Sequence, residues 1–310
     1  MMKNLDDHFD AILITGPTAS GKSALALRLA QAKGGEIVNA DSMQVYDTLR
    51  VLTARPSLAE MEGIAHHLYG HVPASAVHST GAWLREASET LTAIRAHGRL
   101  PIVIGGTGLY FRALTGGLSD MPDIPAELRA ALRARLESEG SEALHRVLGD
   151  ADPQTAARLA PGDAQRIVRA LEVFEASGRP LSSFQAAAGP VVVDPARALK
   201  LVALPPRETL YERIDRRFLQ MMDEGAVEEV RALQALALPA DRPVMRAIGV
   251  QQIGEMLAGR LSTAEAATLS ATATRQYAKR QMTWFRNQMG EDWQRIDPTD
   301  AVALRNALAL

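Results

Sequence analysis

Apolar residues fall into two rhythms along this chain. Short, mainly apolar runs stand at Ala11-Ile12-Leu13-Ile14-Thr15, Glu36-Ile37-Val38-Asn39-Ala40, Pro101-Ile102-Val103-Ile104 and Leu199-Lys200-Leu201-Val202-Ala203-Leu204. Too short for helices and largely without polar alternation, they predict strands covered on both faces, as in a parallel sheet. Between them apolar residues recur at helical spacing. In Thr80 to Gly98, Trp83, Leu84, Ala87, Leu91 and Ile94 form one stripe, and Gly98 marks its end.

From about Met121 strands cease. Helices are predicted over Pro125 to Glu139, Ser141 to Leu148, Pro153 to Leu159 and Asp163 to Ser177, before the strand pattern returns at Leu199. Further helices start near Glu208 and span Thr274 to Gln288. The pattern therefore divides the chain into an α/β part over residues 1–120, a helical insertion over 121–190, and a return to the sheet with C-terminal helices over 191–310.

The first strand runs into Gly16-Pro17-Thr18-Ala19-Ser20-Gly21-Lys22-Ser23, and the helical pattern Ala24 to Ala30 follows directly. This is the G-x-x-x-x-G-K-[ST] loop in its required setting, where backbone N–H groups and the positive end of a helix converge on an anion. Lys22 adds a point charge, and the Ser23 hydroxyl is placed to hold Mg²⁺. The expected fold class is α/β: a P-loop NTPase-like parallel sheet flanked by helices, with an inserted all-helical domain. Ligands in such sheets sit beyond the carboxyl ends of the strands. Asp41, just after the second strand, should face the loop's crevice as a base or a holder of metal-bound water; capping the next turn is the alternative. Gly105-Gly106-Thr107-Gly108 ends the third strand, where glycines allow close backbone approach and put Thr107 at the crevice, or merely turn the chain.

Composition narrows this further. At 310 residues, 47% apolar and 23% charged, the chain can build a full core and a smaller second domain. There is no cysteine, which excludes disulfides and thiolate zinc sites and favours a reducing cytoplasm. No apolar run approaches the ~20 residues that span a bilayer, and Asp6, Asp7 and Asp10 replace the basic start of a leader, so no membrane partner is expected. His66, His67 and His71 lie in an extended stretch that reads as a solvated or RNA-facing strand, not a zinc site. Net charge is only −2, so evidence for nucleic acid must be local. It occurs at Arg275 to Arg286, where Arg275, Lys279, Arg280 and Arg286 interleave with Tyr277, Trp284 and Phe285 without an acidic residue. Arg207, Arg213, Arg216 and Arg217 share another helix, suited equally to anion contact or a solvated face.

Five separated motifs now agree in order: Gly-Pro-Thr-Ala-Ser-Gly-Lys-Ser at Gly16, Asp-Ser-x-Gln-x-Tyr at Asp41, Gly-Gly-Thr-x-Leu-Tyr at Gly105, Gln-Arg-Ile-x-Arg-Ala-Leu-Glu-Val at Gln165, and Lys-Arg-Gln-x-Thr-Trp at Lys279. Together they resemble the bacterial tRNA dimethylallyltransferases over nearly the whole chain. The resemblance implies transfer of a dimethylallyl group from dimethylallyl diphosphate to the exocyclic N6 amine of the adenine 3′-adjacent to the anticodon, by a cytoplasmic enzyme expected to be monomeric. It assigns Gly16, Pro17, Thr18, Ala19, Ser20, Gly21, Lys22 and Ser23 to the diphosphate, Ser23 to Mg²⁺, and Asp41 and Thr107 to the reacting end. Contacts to tRNA would come from Asp41, Ser42, Met43, Gln44, Thr107, Arg129, Gln165, Arg166, Ile167, Val168 and Arg169. Further contacts would come from Arg246, Ala247, Ile248, Gly249, Val250, Gln251, Lys279, Arg280, Gln281, Met282, Thr283, Trp284, Phe285 and Arg286. Two stretches depart from the family pattern: Leu52-Thr53-Ala54-Arg55-Pro56 replaces Gly-Thr-Ala-Lys-Pro, and Arg246-Ala247-Ile248-Gly249-Val250-Gln251-Gln252 replaces Arg-Cys-Val-Gly-Tyr-Arg-Gln. A P-loop kinase, with Asp41 serving an acceptor hydroxyl, and a nucleotide-switched RNA-binding module are the rival readings from the residues alone.

Overall fold

A computed structural model describes residues 9–119, 121–185 and 189–309; Asp6 and Asp7 of the N-terminal stretch lie outside them. The elements in chain order are β1 (Ala11–Thr15), α1 (Lys22–Lys33), β2 (Gly35–Asn39), β3 (His66–His67), α2 (Thr80–Ala96), β4 (Leu100–Gly105) and α3 (Gly108–Gly116). Next come α4 (Ala126–Glu139), α5 (Ser141–Ala151), α6 (Pro153–Ala156), α7 (Ala164–Ser177) and α8 (Leu181–Gln185). The chain ends with β5 (Ala198–Ala203), α9 (Arg207–Asp223), α10 (Ala226–Ala235), α11 (Val250–Leu257), α12 (Thr263–Gln288), β6 (Gln294–Ile296) and α13 (Ala301–Ala309).

The described strands form one parallel sheet in the order β3-β2-β4-β1-β5-β6. Every residue of β1 is buried, and Ile14 pairs with Ile104 on one side and Leu201 on the other. Its apolar run does not alternate because helices cover both faces. The strand order reverses direction at β1, since β2 lies beyond β4 and β5 lies on the opposite flank. The loop after β1 therefore opens at the switch point, where a crevice forms. Trp83 of α2 is fully buried, stacks on Tyr110 of α3 with ring centroids 4.1 Å apart, and donates its indole N–H to Asn39 O at 2.8 Å.

Two compact units emerge: one made of the chain up to Thr115 and from Val192 onward, the other of Gly116–Val191. The second has its own core of Leu132, Leu144, Leu148, Ile167 and Leu171. Its polar staple is Asp152, whose carboxylate accepts from Thr155 Oγ1 at 2.7 Å and Ser182 Oγ at 2.9 Å, tying α6 to α8.

Helix ends shift from expectation where a cap decides them. α12 begins at Thr263, eleven residues before Thr274, because Ser262 and Glu265 form a capping box: Glu265 N–H donates to Ser262 Oγ at 3.2 Å and Ser262 N–H donates back to Glu265 Oε2 at 2.8 Å. α5 continues to Ala151 instead of stopping at Leu148, and α6 ends at Ala156 instead of Leu159. Among the described residues no helix is long and apolar enough to cross a membrane.

Candidate active site and nucleic-acid face

The crevice is built on the glycine loop. Ala19 and Gly21 adopt left-handed backbone conformations, with φ of 63° and 91°, which turn successive N–H groups toward a common point. α1 starts at Lys22, so its first-turn N–H groups have no intrahelical acceptor and add to that point. The open space, about 360 Å³, is lined by Thr18 to Ser23, by Asp41 and Gln44, by Thr53, Ala54 and Tyr69, and by Arg213, Arg216, Arg217 and Gln220.

Lys22 reaches back to donate to Pro17 O at 3.2 Å. Burial pushes its ammonium down to about 8; the Asp41 carboxylate opposes that fall and Arg217 reinforces it. Arg217 on α9 is lowered by burial as well, and donates to the Thr18 hydroxyl. Two cations thus converge on the loop with one carboxylate to compensate. That arrangement attracts an anion to the loop. Arg213 and Arg216 join this wall, whereas Arg207 is exposed, its guanidinium 4.9 Å above the Tyr211 ring. The signal was present in the sequence: Arg213, Arg217 and Gln220 recur at helical spacing, one face of α9.

Asp41 both lines the crevice and caps the turn that follows it. Its Oδ1 accepts from Met43 N–H at 2.9 Å, capping the turn, while Oδ2 points toward Gly106, where a Cβ would lie 3.4 Å away. Burial and the Asp41 charge both raise the phenol pKa of Tyr69, Tyr110 and Tyr277, keeping them neutral hydrogen-bonding groups. Thr107 sits opposite: its Oγ1 accepts from Ser42 N–H at 3.0 Å and its own N–H donates to Ala40 O at 3.2 Å. That approach demands glycine nearby, since a Cβ on Gly105 would lie 2.0 Å from Ala40 O. Met43 is half-buried against the core, and Gln44 donates its amide to Thr53 O and Ala54 O at 2.8 and 3.0 Å, clamping the crevice rim. In the divergent stretch after it, Leu52 is buried and would meet any side chain at Gly249, with a Cβ there 2.9 Å from its Cδ2. Arg55 hydrogen-bonds the carbonyls of Tyr46 and Asp47.

α12 lines a separate groove. Lys279, Arg280, Thr283 and Trp284 line an open groove with Gln276, Asn287 and Gln288, and Arg286 is exposed beyond them. The Trp284 ring lies against Gly108, where a Cβ would come within 2.0 Å of it. Met282 is half-buried beside Leu210 and Ile214. Gln281 corrects the expectation. It is buried, its Oε1 accepts from Thr18 N–H at 3.0 Å and its amide donates to Gly106 O at 3.0 Å, so it braces the glycine loop against the Gly105-Gly106 turn. Five other positions expected to touch tRNA are core: Ile167, Val168, Ala247, Val250 and Phe285 are at most 7% exposed. Ile167, Val168, Val250 and Phe285 fall on the inner faces of their helices, and Ala247 is buried in the turn before α11. Gly249 is buried and Ile248 half-buried; Arg246 and Gln251 stay exposed at a groove beside α11. In the helical unit Arg129, Gln165 and Arg166 are exposed and Arg169 pairs with Glu172 at 3.2 Å. The expected RNA-facing strand is β3, hydrogen-bonded to β2, with His67 bonded to Glu36 at 2.7 Å.

The IPP transferase family pattern matches residues 44–288, and the Isopentenyl transferase pattern matches residues 9–70. A tRNA dimethylallyltransferase of Agrobacterium fabrum is 65% identical over 96% of this chain and 100% of its own length. One from Rhizobium meliloti is 62% identical over 97% of this chain and 100% of its own. Among solved structures, the full-length tRNA isopentenylpyrophosphate transferase of Bacillus halodurans superposes with a TM-score of 0.65 at 32% identity, covering 96% of this chain and 97% of that one. A eukaryotic dimethylallyltransferase acting on tRNA gives a TM-score of 0.83 at 28% identity, covering 96% of this chain and 77% of that one. With the Gly16, Asp41 and Gly105 motifs lining one crevice and relatives matched nearly end to end, this chain belongs to the tRNA dimethylallyltransferase family of transferases.

Proposed function

We infer that the chain moves the dimethylallyl group of dimethylallyl diphosphate onto the N6 amine of the adenine 3′-adjacent to the tRNA anticodon, releasing diphosphate. The observation that carries this is the crevice itself: an anion-seeking loop with Lys22 and Arg217 faces a carboxylate, Asp41, that is not part of the loop. Breaking the allylic C–O bond builds negative charge on the diphosphate. Donors fixed in place before the reaction lower that barrier, and losing one costs on the order of 10²–10³ in rate. Lys22, Arg217 and the backbone N–H groups of Gly21, Lys22 and Ser23 at the start of α1 are those donors.

The acceptor needs the opposite help. An exocyclic amine is a poor nucleophile because its lone pair is delocalised into the ring. As the N6–carbon bond forms, Asp41 takes the amine's proton, and Thr107 and Ser42 hold the turn that aims it. The exposed Ser23 hydroxyl on the first turn of α1 lines the crevice. One neutral oxygen suits Mg²⁺ only if diphosphate oxygens and waters complete the shell, which is how this ion is commonly held. Mg²⁺ bound there would neutralise charge on the leaving group. Bringing the adenine to the donor requires extruding it from the loop at a few kcal/mol, repaid by phosphate and stacking contacts. Arg246, Gln251, Lys279, Arg280, Thr283 and Arg286 are exposed groups that suit this, the half-buried Trp284 ring suits stacking, and the helical unit offers Arg129, Gln165 and Arg166 with the half-buried Arg169. The proposed enzyme works as a monomer in the cytoplasm.

Asp41→Asn tests the assignment. Donor affinity should hold, because the amide is nearly isosteric and the loop is untouched, while single-turnover rate falls by roughly 10²–10⁴. If donor affinity collapses with the rate and added magnesium restores both, Asp41 is a metal holder and the base assignment fails.

A further inference from the structure

The segment between β3 and α2 brings together three side chains that the crevice does not use. His71 Nε2 and His78 Nε2 approach the same Glu86 oxygen at 2.9 and 3.1 Å, and the three candidate ligand atoms lie within 4.8 Å of one another. We propose that His71, His78 and Glu86 form a binding site for a divalent zinc-like cation, which fastens this segment to α2.

The donor set carries the choice of ion. Two imidazole nitrogens with one carboxylate oxygen are borderline ligands that suit Zn²⁺ and leave a position for water, whereas Mg²⁺ prefers an all-oxygen shell. Ligand atoms held about 2.0–2.1 Å from a tetrahedral ion stand about 3.3 Å apart, so spacings of 2.9 and 3.1 Å need only a slight opening. Among the described residues the ion partners of Glu86 are these two imidazoles, so no Lys or Arg competes for its charge.

The scaffold is prepared as well. The His78 ring is 7% exposed and turns its Nε2 toward Glu86, so its position is fixed by packing. His78 immediately precedes Ser79, the cap of α2, and its N–H donates to the Tyr46 hydroxyl at 3.4 Å. His71 follows Gly70 and is held by the next residue, since Val72 N–H donates to Val45 O at 2.9 Å. His71 and Glu86 remain 32% and 37% exposed, which leaves an entry path. α2 also carries Trp83, the support under Asn39 and hence under the Asp41 turn. Lacking thiolates, the site differs in kind from a zinc finger.

The test uses the full chain, stripped of metal and free of magnesium, titrated with Zn²⁺ and separately with Co²⁺. One Zn²⁺ per chain is expected, with a rise in the unfolding midpoint and the visible absorption of tetrahedral cobalt. His71→Asn and Glu86→Gln, both at partly exposed positions, should keep the metal-free fold by circular dichroism yet weaken zinc binding roughly tenfold or more. His97→Gln, an exposed histidine elsewhere, should change nothing. If the parent chain binds no zinc, or if the two ligand variants bind it as tightly as the parent, the proposal is overturned.

Discussion

Lys22→Met should abolish prenyl transfer and, unusually for a substitution at a functional site, make the ligand-free protein more stable. The magnitude follows from the ammonium's cost of burial. Its pKa falls from 10.5 to about 8 on folding, and that difference multiplied by about 1.36 kcal/mol per unit is about 3 kcal/mol. The sign is set by proton count: between pH 8 and 10.5 the unfolded chain holds the proton that the folded chain has lost, so wild-type stability from this group rises with pH through that window. Below pH 8 the full cost is present, and above 10.5 it is gone. Methionine keeps the apolar stem and removes the charge, but leaves Pro17 O without its donor, a loss of about 1 kcal/mol. The variant should therefore gain about 2 kcal/mol at pH 7 and nearly nothing at pH 10. Paired urea titrations of variant and parent at both pH values isolate the effect, because other titrating groups cancel in the difference. A variant no more stable than the parent at pH 7, or a gain equal at both pH values, would refute a desolvated Lys22. The same burial predicts that diphosphate affinity is flat below pH 8 and falls by up to about tenfold per pH unit above it, since the anion needs the protonated form.

Gln281→Leu removes both ends of the brace and leaves Thr18 N–H and Gly106 O unpaired, at about 1–3 kcal/mol each. It should weaken donor binding while tRNA affinity is kept; an unchanged donor affinity would show that the loop needs no brace. Lys279→Ala with Arg280→Ala should weaken tRNA binding and reduce the slope of log affinity against log salt by about one per lost phosphate contact. A slope that stays put would make these exposed side chains bystanders.

What could be read directly was whatever depends on neighbours in the chain. The strand, Gly16 to Ser23 and α1 form one local unit, because a glycine-permissive turn and the first turn of a helix make an anion nest without help from elsewhere. The mainly apolar runs announced buried parallel strands, and the change of texture near Met121 announced the helical unit, since periodicity records which faces are covered. Side chains that meet across long separations left no such mark. Arg207 and Arg217 share α9, yet successive residues are rotated by about 100°, so only packing against the sheet decides that Arg217 meets Thr18 while Arg207 faces solvent. Gln281 looked like one more polar residue in a basic stretch. Its two bonds reach Thr18 and Gly106, which are 263 and 175 residues away, and only the docking of α12 over the crevice brings them within reach. Ile167, Val168, Val250 and Phe285 sit among polar motif residues and became core for the same reason: a helix docks by one face, and the rotation that buries these positions exposes the arginines beside them. His71, His78 and Glu86, spread over a turn and a helix, converge only because the bridge between Tyr46 and Val72 anchors the segment beside α2.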